Sequence, residues 1–342
     1  MNRVVQQRLE TKKTHVFRLI VYIWEDDMLK LLKSNLLSLM LLAFLFSVAA
    51  SPTYAGGHPG PLVDVKWLMK NKDKVVILDV RKDTKSFSKD GHIPGSILVN
   101  WKKVRAKKTI DGVQYIKMLP SKKNFEAMMQ ASGVNNDSLV VVTSKGTNPD
   151  EVFFATRLYW QLKYYGHDKV TVLDGSTAGW ADAKRPLSKN AATPAKGNFT
   201  ARAARKELYA TTKDVEATLG KSVLVDGRTM DYFVGLQQKT DYVYDKGHIP
   251  GSKILPNDIV FKHGDGKGLK FRAINELRAA LGALGIPSGG DVIAYCNSGH
   301  LGSGSWFVLS ELTGNKQARL YDASLHGWTK GNKRPMALGL LE

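Results

Sequence analysis

Cysteine is nearly absent from this chain, since Cys296 is the only one among 342 residues. One thiol cannot build a disulfide framework. The spacings typical of zinc ligands and the glycine patterns that bind nucleotides are missing as well. We therefore expect no metal and no cofactor, and the lone thiol is the first residue to consider for chemistry.

Acidic residues are also few, with 31 Asp and Glu against 50 Lys and Arg, which gives a net charge of +19. Residues 1–55 contribute +3 of this, so the rest of the chain carries +16. Such a surplus favours anionic substrates, acidic partners or membrane surfaces. Nucleic acid is not expected, because the sequence has no helix-turn-helix pattern and no basic motif interleaved with aromatic residues. We expect the Lys-rich segment Trp101–Lys108 to be a solvated face.

A long apolar run is missing too, because Leu36–Ala50 falls short of the ~20 residues of a membrane-spanning helix. Lysines precede this run and Thr53–Ala55 follows it, which is typical of a secretory signal that begins at Met28. We expect residues 1–55 to be an N-terminal extension plus signal peptide, cleaved after Ala55. The mature chain would be periplasmic or secreted, without a stable membrane span.

What the chain does contain is a repeat, in which segments of the first half recur in the same order ~150 residues later. Leu78–Arg81 recurs as Val225–Arg228, Gly91–Ser96 as Gly247–Ser252, Val140–Ser144 as Val292–Cys296, and Leu173–Ser176 as Tyr321–Ser324. This spacing is a normal domain length and too long for a solenoid. We therefore predict a first domain at 62–188, a linker at 189–208 and a second domain at 209–338.

Each half alternates short apolar runs with amphipathic segments. The expected strands are Val75–Leu78, Leu139–Thr143, Val170–Leu173, Val223–Asp226, Val292–Tyr295 and Ala318–Tyr321. The expected helices are Lys122–Ala131, Asp150–Tyr164, Asp231–Gln238, Arg272–Leu284 and Ser303–Leu312. Continuous Val/Ile/Leu runs between helices are typical of a parallel sheet. The predicted fold class is therefore α/β, with a parallel sheet in each domain flanked by helices on both faces.

Cys296 follows one of these strands and precedes one of these helices, on a turn rich in Gly and Ser. Such a turn directs backbone N–H groups at one point, and the helix dipole adds positive charge there. Both favour a nucleophilic thiolate. The alternative is an inert buried cysteine, which is the commoner state of a lone one.

The Asp-x-Arg after the first strand of each half, the Gly-His-Ile-Pro-Gly turns and the strand–Cys–loop–helix unit resemble the tandem-domain rhodanese sulfurtransferases. The resemblance covers nearly all of the chain after Pro61 and implies two rhodanese-like domains. Cys296 would take up sulfane sulfur as a persulfide. Ser144 occupies the matching position in the first domain, and because a serine hydroxyl cannot form a persulfide, that domain would be catalytically silent.

The resemblance also implies a substrate pocket around Cys296. Arg228, from the second Asp-x-Arg, would contact an anionic donor, with a structural ion pair as the alternative. The loop after the cysteine would complete the pocket, with the N–H groups of residues 298–302 aimed inward. The loop residues are Asn297, Ser298, Gly299, His300, Leu301 and Gly302.

This loop departs from the patterns of the family, because it has no Arg or Lys and only His300 can vary in charge near neutral pH. The donor therefore stays open between thiosulfate and 3-mercaptopyruvate, with cyanide or a thiol, including a protein thiol, as acceptor. Gly302 stands where a Cys-based phosphatase needs arginine, which argues against that activity. The alternative function is a persulfide carrier or sulfur-binding scaffold that hands sulfur to a partner protein. A monomer is expected, because the two halves already supply an interface.

Overall fold

The structure is a computed structural model that describes residues 58–262, 266–331 and 334–340. The predicted extension, the Met28 start, the signal peptide and the cleavage after Ala55 lie outside these described residues. Within the described ranges, no helix is both long and apolar enough to cross a membrane.

The first half of the described chain is built on a parallel sheet. Its strands are β1 (Leu62–Val63), β2 (Val76–Arg81), β3 (Ile97–Asn100), β4 (Ala106–Ile110), β5 (Val113–Met118), β6 (Val140–Ser144) and β7 (Val170–Leu173). The sheet has the order β1-β7-β6-β2-β3, while β4 and β5 pair as a separate antiparallel hairpin.

The second half repeats this topology. Its strands are β8 (Tyr209–Ala210), β9 (Val223–Asp226), β10 (Lys253–Ile254), β11 (Phe261–Lys262), β12 (Lys270–Phe271), β13 (Val292–Tyr295) and β14 (Arg319–Tyr321). The parallel sheet has the order β10-β9-β13-β14-β8, and β11 and β12 form an antiparallel hairpin. Read from the other edge, this is the strand order of the first sheet, so the sequence repeat is also a structural one.

Helices connect the strands in both halves. They are α1 (Val65–Asn71), α2 (Ser86–Lys89), α3 (Lys122–Ala131), α4 (Pro149–Tyr164), α5 (Ser176–Asp182), α6 (Thr212–Thr218), α7 (Met230–Phe233), α8 (Ile274–Ala283), α9 (His300–Trp306) and α10 (Ser324–Thr329). Short 3-10 turns cover Lys72–Lys74 and Lys206–Leu208, and the π-helical segment Phe307–Leu312 continues α9.

Alternate side chains of the first sheet enter two different cores. Val140 and Val142 of β6 pack in one apolar cluster with residues of α3 and α4, whereas Val141 packs in another with Leu68 of α1 and Trp180 of α5. Successive residues of a strand point to opposite faces, so both faces are covered by helices. The predicted α/β class with a parallel sheet in each domain is confirmed.

The helix predicted at Asp231–Gln238 is wrong beyond its first turn. The helix α7 ends at Phe233, and Gly235 follows with a φ of +84°. The amides of Leu236 and Gln237 both donate to the carbonyl of Asp231. A left-handed glycine after the last turn is a common way to end a helix, and it redirects this segment into a loop.

The predicted linker 189–208 has no regular secondary structure before its 3-10 turn at Lys206–Leu208, and it lies along the first domain. The amide of Gly197 donates to the carbonyl of Gln130 at 2.8 Å, and the amide of Phe199 donates to that of Val134 at 3.1 Å. Phe199 is buried against the first core. Backbone hydrogen bonds and one apolar anchor therefore fix this connection.

Each half extends a hairpin onto the other. The first arm, formed by β4 and β5, donates the amide of Ile116 to Nε2 of His326 at 3.1 Å. The amide of Leu119, just after this arm, donates to Oδ2 of Asp322 at 2.8 Å. The second arm, formed by β11 and β12, donates the amide of Phe271 to Oδ1 of Asp174 at 2.9 Å. The two domains therefore exchange equivalent contacts.

The start of the first arm corrects one expectation. The segment Trp101–Lys108 is not simply a solvated face, because Trp101 is 2% exposed and Arg105 is half-buried. Lys107 and Lys108 are exposed. The composition of the segment could not reveal which of its cations face the second domain.

A fully buried ion pair joins the two halves. Nη2 of Arg157, on α4, contacts Oδ1 of Asp322, after β14, and both side chains are 0% exposed. Nη1 of the same arginine donates to the carbonyl of Gly299 at 3.1 Å. The guanidinium also lies 4.8 Å from the Trp160 ring centroid. One arginine of the first domain thus holds the segment that follows Cys296 in the second.

Arg157→Met is expected to lower the free energy of unfolding by about 3 kcal/mol, because it leaves the buried Asp322 carboxylate without its partner. Urea unfolding measures this. Arg205→Met is the matched control, since its partner Asp168 is 51% exposed, and it should cost no more than about 1 kcal/mol. Equal losses in the two variants would contradict the structural role of the pair.

Candidate active site

Cys296 lies at the carboxyl end of β13, the central strand of the second sheet. Gly299, with a φ of +70°, closes the turn after it, and α9 begins at His300. The cysteine is 1% exposed, yet it lines a cavity of about 260 Å³. The thiol is therefore enclosed by protein but has free space beside it.

The predicted cradle of amides around the thiol is only partly present. The amide of Ser298 donates to Sγ of Cys296 at 3.4 Å. The amide of Gly299 instead donates to Oγ of Ser324 at 2.9 Å, and so does the amide of Cys296 at 3.1 Å. The expectation that these loop N–H groups all point at the thiol is therefore wrong for Gly299.

Ser324 holds the loop in place. Its hydroxyl accepts the two loop amides and donates to the carbonyl of Tyr321 at 2.8 Å. The residue has a φ of +49°, a conformation that a non-glycine residue adopts only at a cost. Its counterpart Ser176 has a φ of +56°, and its Oγ lies 3.5 Å from Oγ of Ser144. The repeat therefore keeps the serine in both halves, although only one half has the thiol.

The first-domain loop offers no such nucleophile. Ser144 is fully buried, and the hydroxyl contact with Ser176 is its side-chain hydrogen bond among the described residues. A hydroxyl needs an adjacent base to act as a nucleophile. Its partner here is another hydroxyl, which fits the inference that this half is silent.

Arg228 forms the structural ion pair that was one alternative, and it also lines the cavity, as the other alternative requires. Its guanidinium pairs with Asp226, from Nε to Oδ1 at 2.9 Å and from Nη2 to Oδ2 at 2.6 Å, and Nη2 also donates to the carbonyl of Gly247 at 2.7 Å. Nη1 lies 3.4 Å from Oδ1 of Asn297, and the residue lines the cavity. Burial alone would lower the pKa of Arg228, but Asp226 outweighs it and the pKa is raised.

Most of the positive charge of Arg228 is thus committed to its own domain. Arg81 makes the matching pair with Asp79 in the first domain, which shows that this arrangement does not need a thiol nearby. The structural ion pair exists, and donor binding by Arg228 stays a prediction.

His300 is enclosed by aromatic rings of the first domain. Its ring stacks on Phe154, with centroids 4.8 Å apart, and lies 4.6 Å from the Trp101 ring. Burial, and then the charges of Arg105 and Arg157, hold the pKa of His300 well below its usual value of 6.5. Its Nδ1 lies 3.4 Å from Oδ1 of Asp150. The lowered pKa argues against a charged His300 at neutral pH, and a role for His300 as a general acid or as part of the cavity wall stays a prediction.

The rest of the predicted loop divides between the cavity wall and the packing behind it. Asn297, Ser298, His300 and Leu301 line the cavity. A side chain at Gly299 would meet Arg157, and one at Gly302 would come within 3.1 Å of β13 backbone atoms. These two glycines allow close packing and do not present groups to a substrate.

Several cavity residues could not be found from motifs. They are Asp150, Thr229, Tyr232, Lys239, Tyr242 and Asn257. Tyr232 belongs to α7, and the other residues of the second domain belong to loops that follow β9 and β10. Asp150 comes from the first turn of α4 in the first domain. The sheet topology could have located these residues, since loops at the carboxyl ends of parallel strands converge at one edge of a sheet.

Comparison with known proteins agrees with this architecture. The family model described as the rhodanese-like domain matches residues 64–183 and again 207–331. The chain therefore belongs to the rhodanese family and contains two rhodanese-like domains, as the motifs predicted.

Two relatives show which activities occur in similar chains. A protein of Saccharopolyspora erythraea named "Putative thiosulfate sulfurtransferase" is 31% identical over 79% of this chain and 92% of its own length. The "Sulfur carrier protein TtuD" of Thermus thermophilus is 30% identical over 82% of this chain and 98% of its own length. The chain is thus a sulfurtransferase of the rhodanese type.

Solved structures share the fold. SseA of Escherichia coli, described as a 3-mercaptopyruvate sulfotransferase, matches with a TM-score of 0.66 and 24% identity over 78% of this chain and 98% of its own. EanB matches with a TM-score of 0.71 and 20% identity over 82% of this chain and 70% of its own. At these identities the likeness supports the architecture alone.

Ser324→Ala is expected to lower the rate of sulfur transfer about tenfold, equivalent to about 1.4 kcal/mol in the barrier, because two loop amides lose their acceptor. Steady-state assays with a sulfane donor measure this. Ser176→Ala removes the same hydroxyl from the silent half and should leave the rate within about twofold of wild type. Equal effects of the two changes would show that Ser324 acts only on global stability.

Proposed function

We propose that this chain moves sulfane sulfur from a small anionic donor to a thiophilic acceptor through a persulfide on Cys296. The observation that carries the proposal is the setting of the thiol, which lines a cavity of about 260 Å³ and accepts the Ser298 amide at 3.4 Å. A nucleophile needs space for the group that it receives and a hydrogen-bond donor for the charge that develops. Both are present at this one sulfur.

The sulfur moves in two displacements. The Cys296 thiolate attacks the outer sulfur of thiosulfate, the S–S bond breaks, and sulfite leaves with the bonding electron pair. With 3-mercaptopyruvate the C–S bond breaks instead, and the carbon takes up a proton as pyruvate forms. Cyanide or a thiolate then attacks the terminal sulfur of the persulfide, and the Cys296 thiolate leaves.

A sulfur carrier is the second candidate, and the Thermus relative of that name favours it. In this function Cys296 would hold the persulfide until a partner protein removed it. Slow turnover with cyanide together with rapid transfer to a protein thiol would support the carrier. Rapid steady-state turnover with cyanide would exclude it.

Export to the periplasm belongs to the same proposal, together with a monomeric state. Export rests on the signal-like pattern before Ala55, and the monomer rests on the interface that the two domains already share. N-terminal sequencing of the exported protein tests the first point, with Gly56 as the expected first residue. Light scattering of the purified protein tests the second.

Treatment of the wild-type protein with thiosulfate or 3-mercaptopyruvate is expected to add the mass of one sulfur atom to Cys296. Peptide mass spectrometry locates the addition, and subsequent cyanide should remove it and yield thiocyanate. Cys296→Ser should show neither the adduct nor turnover, while remaining folded.

Comparison of the two donors identifies the preferred one. The absence of an adduct with every sulfane donor tried, in protein that is folded and reduced, would refute the persulfide mechanism.

A further inference from the structure

Two cations of the first domain lie beside the catalytic cavity without an anionic partner. Arg105 precedes β4 and Lys117 lies near the end of β5, so both belong to the region of the first arm. Both are half-buried. Among the residues that the structure describes, neither makes an ion pair or a hydrogen bond. Arg105 Nε is buried and has no hydrogen-bond acceptor.

Aromatic rings take the place of carboxylates at these two side chains. The Arg105 guanidinium lies 4.3 Å from the Trp101 ring centroid, and Lys117 Nζ lies 3.1 Å from that of Tyr242. A ring face attracts a cation, but it is a weaker partner than a carboxylate. Half-buried charges are usually paired, so this arrangement is unusual.

Burial and neighbouring positive charges disfavour the charged form of both side chains. Burial, and then the charge of Arg157, lower the pKa of Arg105 to about 10. Burial, and then the charge of Arg105, lower the pKa of Lys117 to about 8. Clustered like charges whose pKa values are perturbed are more common at functional sites than elsewhere.

The backbone conformation of Lys117 also indicates a specific role for its side chain. Its φ is +63°, although it stands inside a strand and not at the tip of the hairpin. The next residues are fixed, because the amides of Ile116 and Leu119 on either side donate to His326 and Asp322 of the second domain. A strained residue held between two anchors indicates that its side-chain direction matters.

Both cations lie behind side chains of the cavity wall. Lys117 contacts the ring of Tyr242, which lines the cavity. Arg105 contacts the ring of Trp101, which lies 4.6 Å from the ring of His300 in the cavity wall. The Asp150 carboxylate, which also lines the cavity, acts to raise the pKa of Arg105. Lys239 lines the same cavity and is exposed, and it repels Lys117.

The cavity itself is short of positive charge for an anionic donor. Arg228 is paired with Asp226, and the lowered pKa of His300 disfavours its charged form. Thiosulfate carries two negative charges and must approach a thiolate that carries a third. Without further cations, the repulsion between donor and nucleophile would be uncompensated in a partly dry cavity.

We propose that Arg105 and Lys117 of the first domain, with Lys239 across the cavity mouth, bind the anionic group of the sulfur donor. The group is the sulfonate end of thiosulfate or the carboxylate of 3-mercaptopyruvate, and its sulfur then faces Cys296. The subsite rests on the proposed function for its donor. In this proposal the first domain supplies the positive charge that the loop after Cys296 lacks.

Anion binding to the Cys296→Ser variant tests the subsite without any sulfur transfer. Isothermal titration with thiosulfate is expected to show binding that weakens about tenfold or more when Arg105→Met or Lys117→Met is added. Lys108→Met, which removes an exposed lysine of the same arm, should leave the affinity unchanged. No binding to Cys296→Ser, or equal affinity in all variants, would overturn the proposal.

The pH dependence of donor capture gives a readout that a structural role would not move. Lys117 is cationic below its pKa of about 8, so kcat/KM for the donor should fall as the pH rises through this value. Lys117→Arg keeps its charge and should move this fall to higher pH, whereas Lys117→Met should be low throughout. The charged groups that act on Lys117 are Arg105 and Lys82 from the first domain and Lys239 and Asp241 from the second. An unchanged profile in Lys117→Arg would refute the assignment.

The two proposals can fail separately. If wild type forms no persulfide while thiosulfate binding to Cys296→Ser depends on Arg105 and Lys117, the sulfur-transfer mechanism is wrong and the anion subsite stands. If the persulfide forms at the same rate in wild type, Arg105→Met and Lys117→Met, the mechanism stands and the subsite is wrong.

Discussion

The buried pair of Arg157 and Asp322 is the constraint on which the active site depends. Asp322 accepts the amide of Leu119 at the base of the first arm, and Arg157 donates to the carbonyl of Gly299 in the catalytic loop. Two charges at 0% exposure must stay together, because separating them leaves each without solvent. The docking of the domains, the position of the arm and the shape of the loop are therefore one structural unit.

Both domains contribute residues to the site around Cys296. The second domain supplies the thiol, the Ser298 amide and the Ser324 hydroxyl that orders the loop. The first domain supplies Asp150 to the cavity wall and encloses the His300 ring between Trp101 and Phe154. The aromatic side of the site is thus built by the half that has serine at the position of the thiol.

Motifs and periodicity were enough to predict the parallel sheets and the duplication, and they identified Cys296 as the candidate nucleophile. They work because buried strands are continuous apolar runs, and because a lone thiol on a strand–helix turn has few equivalents in the chain. They could not distinguish the exposed Lys108 from the half-buried Arg105 and Lys117, since all three are basic residues in one hairpin region. They also missed Ser324, which lies 28 residues from the thiol in sequence and touches its amide in space.

The duplication has left a difference at the interface. Counting from Ser144 and Cys296, buried Leu309 stands where Arg157 stands in the first half. Asp174, the counterpart of Asp322, accepts an amide from the opposite arm in the same way, and burial raises its pKa to about 6. Arg157 pairs with Asp322, whereas no cationic side chain among the described residues forms an ion pair with Asp174. A substitution at Arg157, in the half without a thiol, can therefore displace the loop that follows Cys296 in the other half.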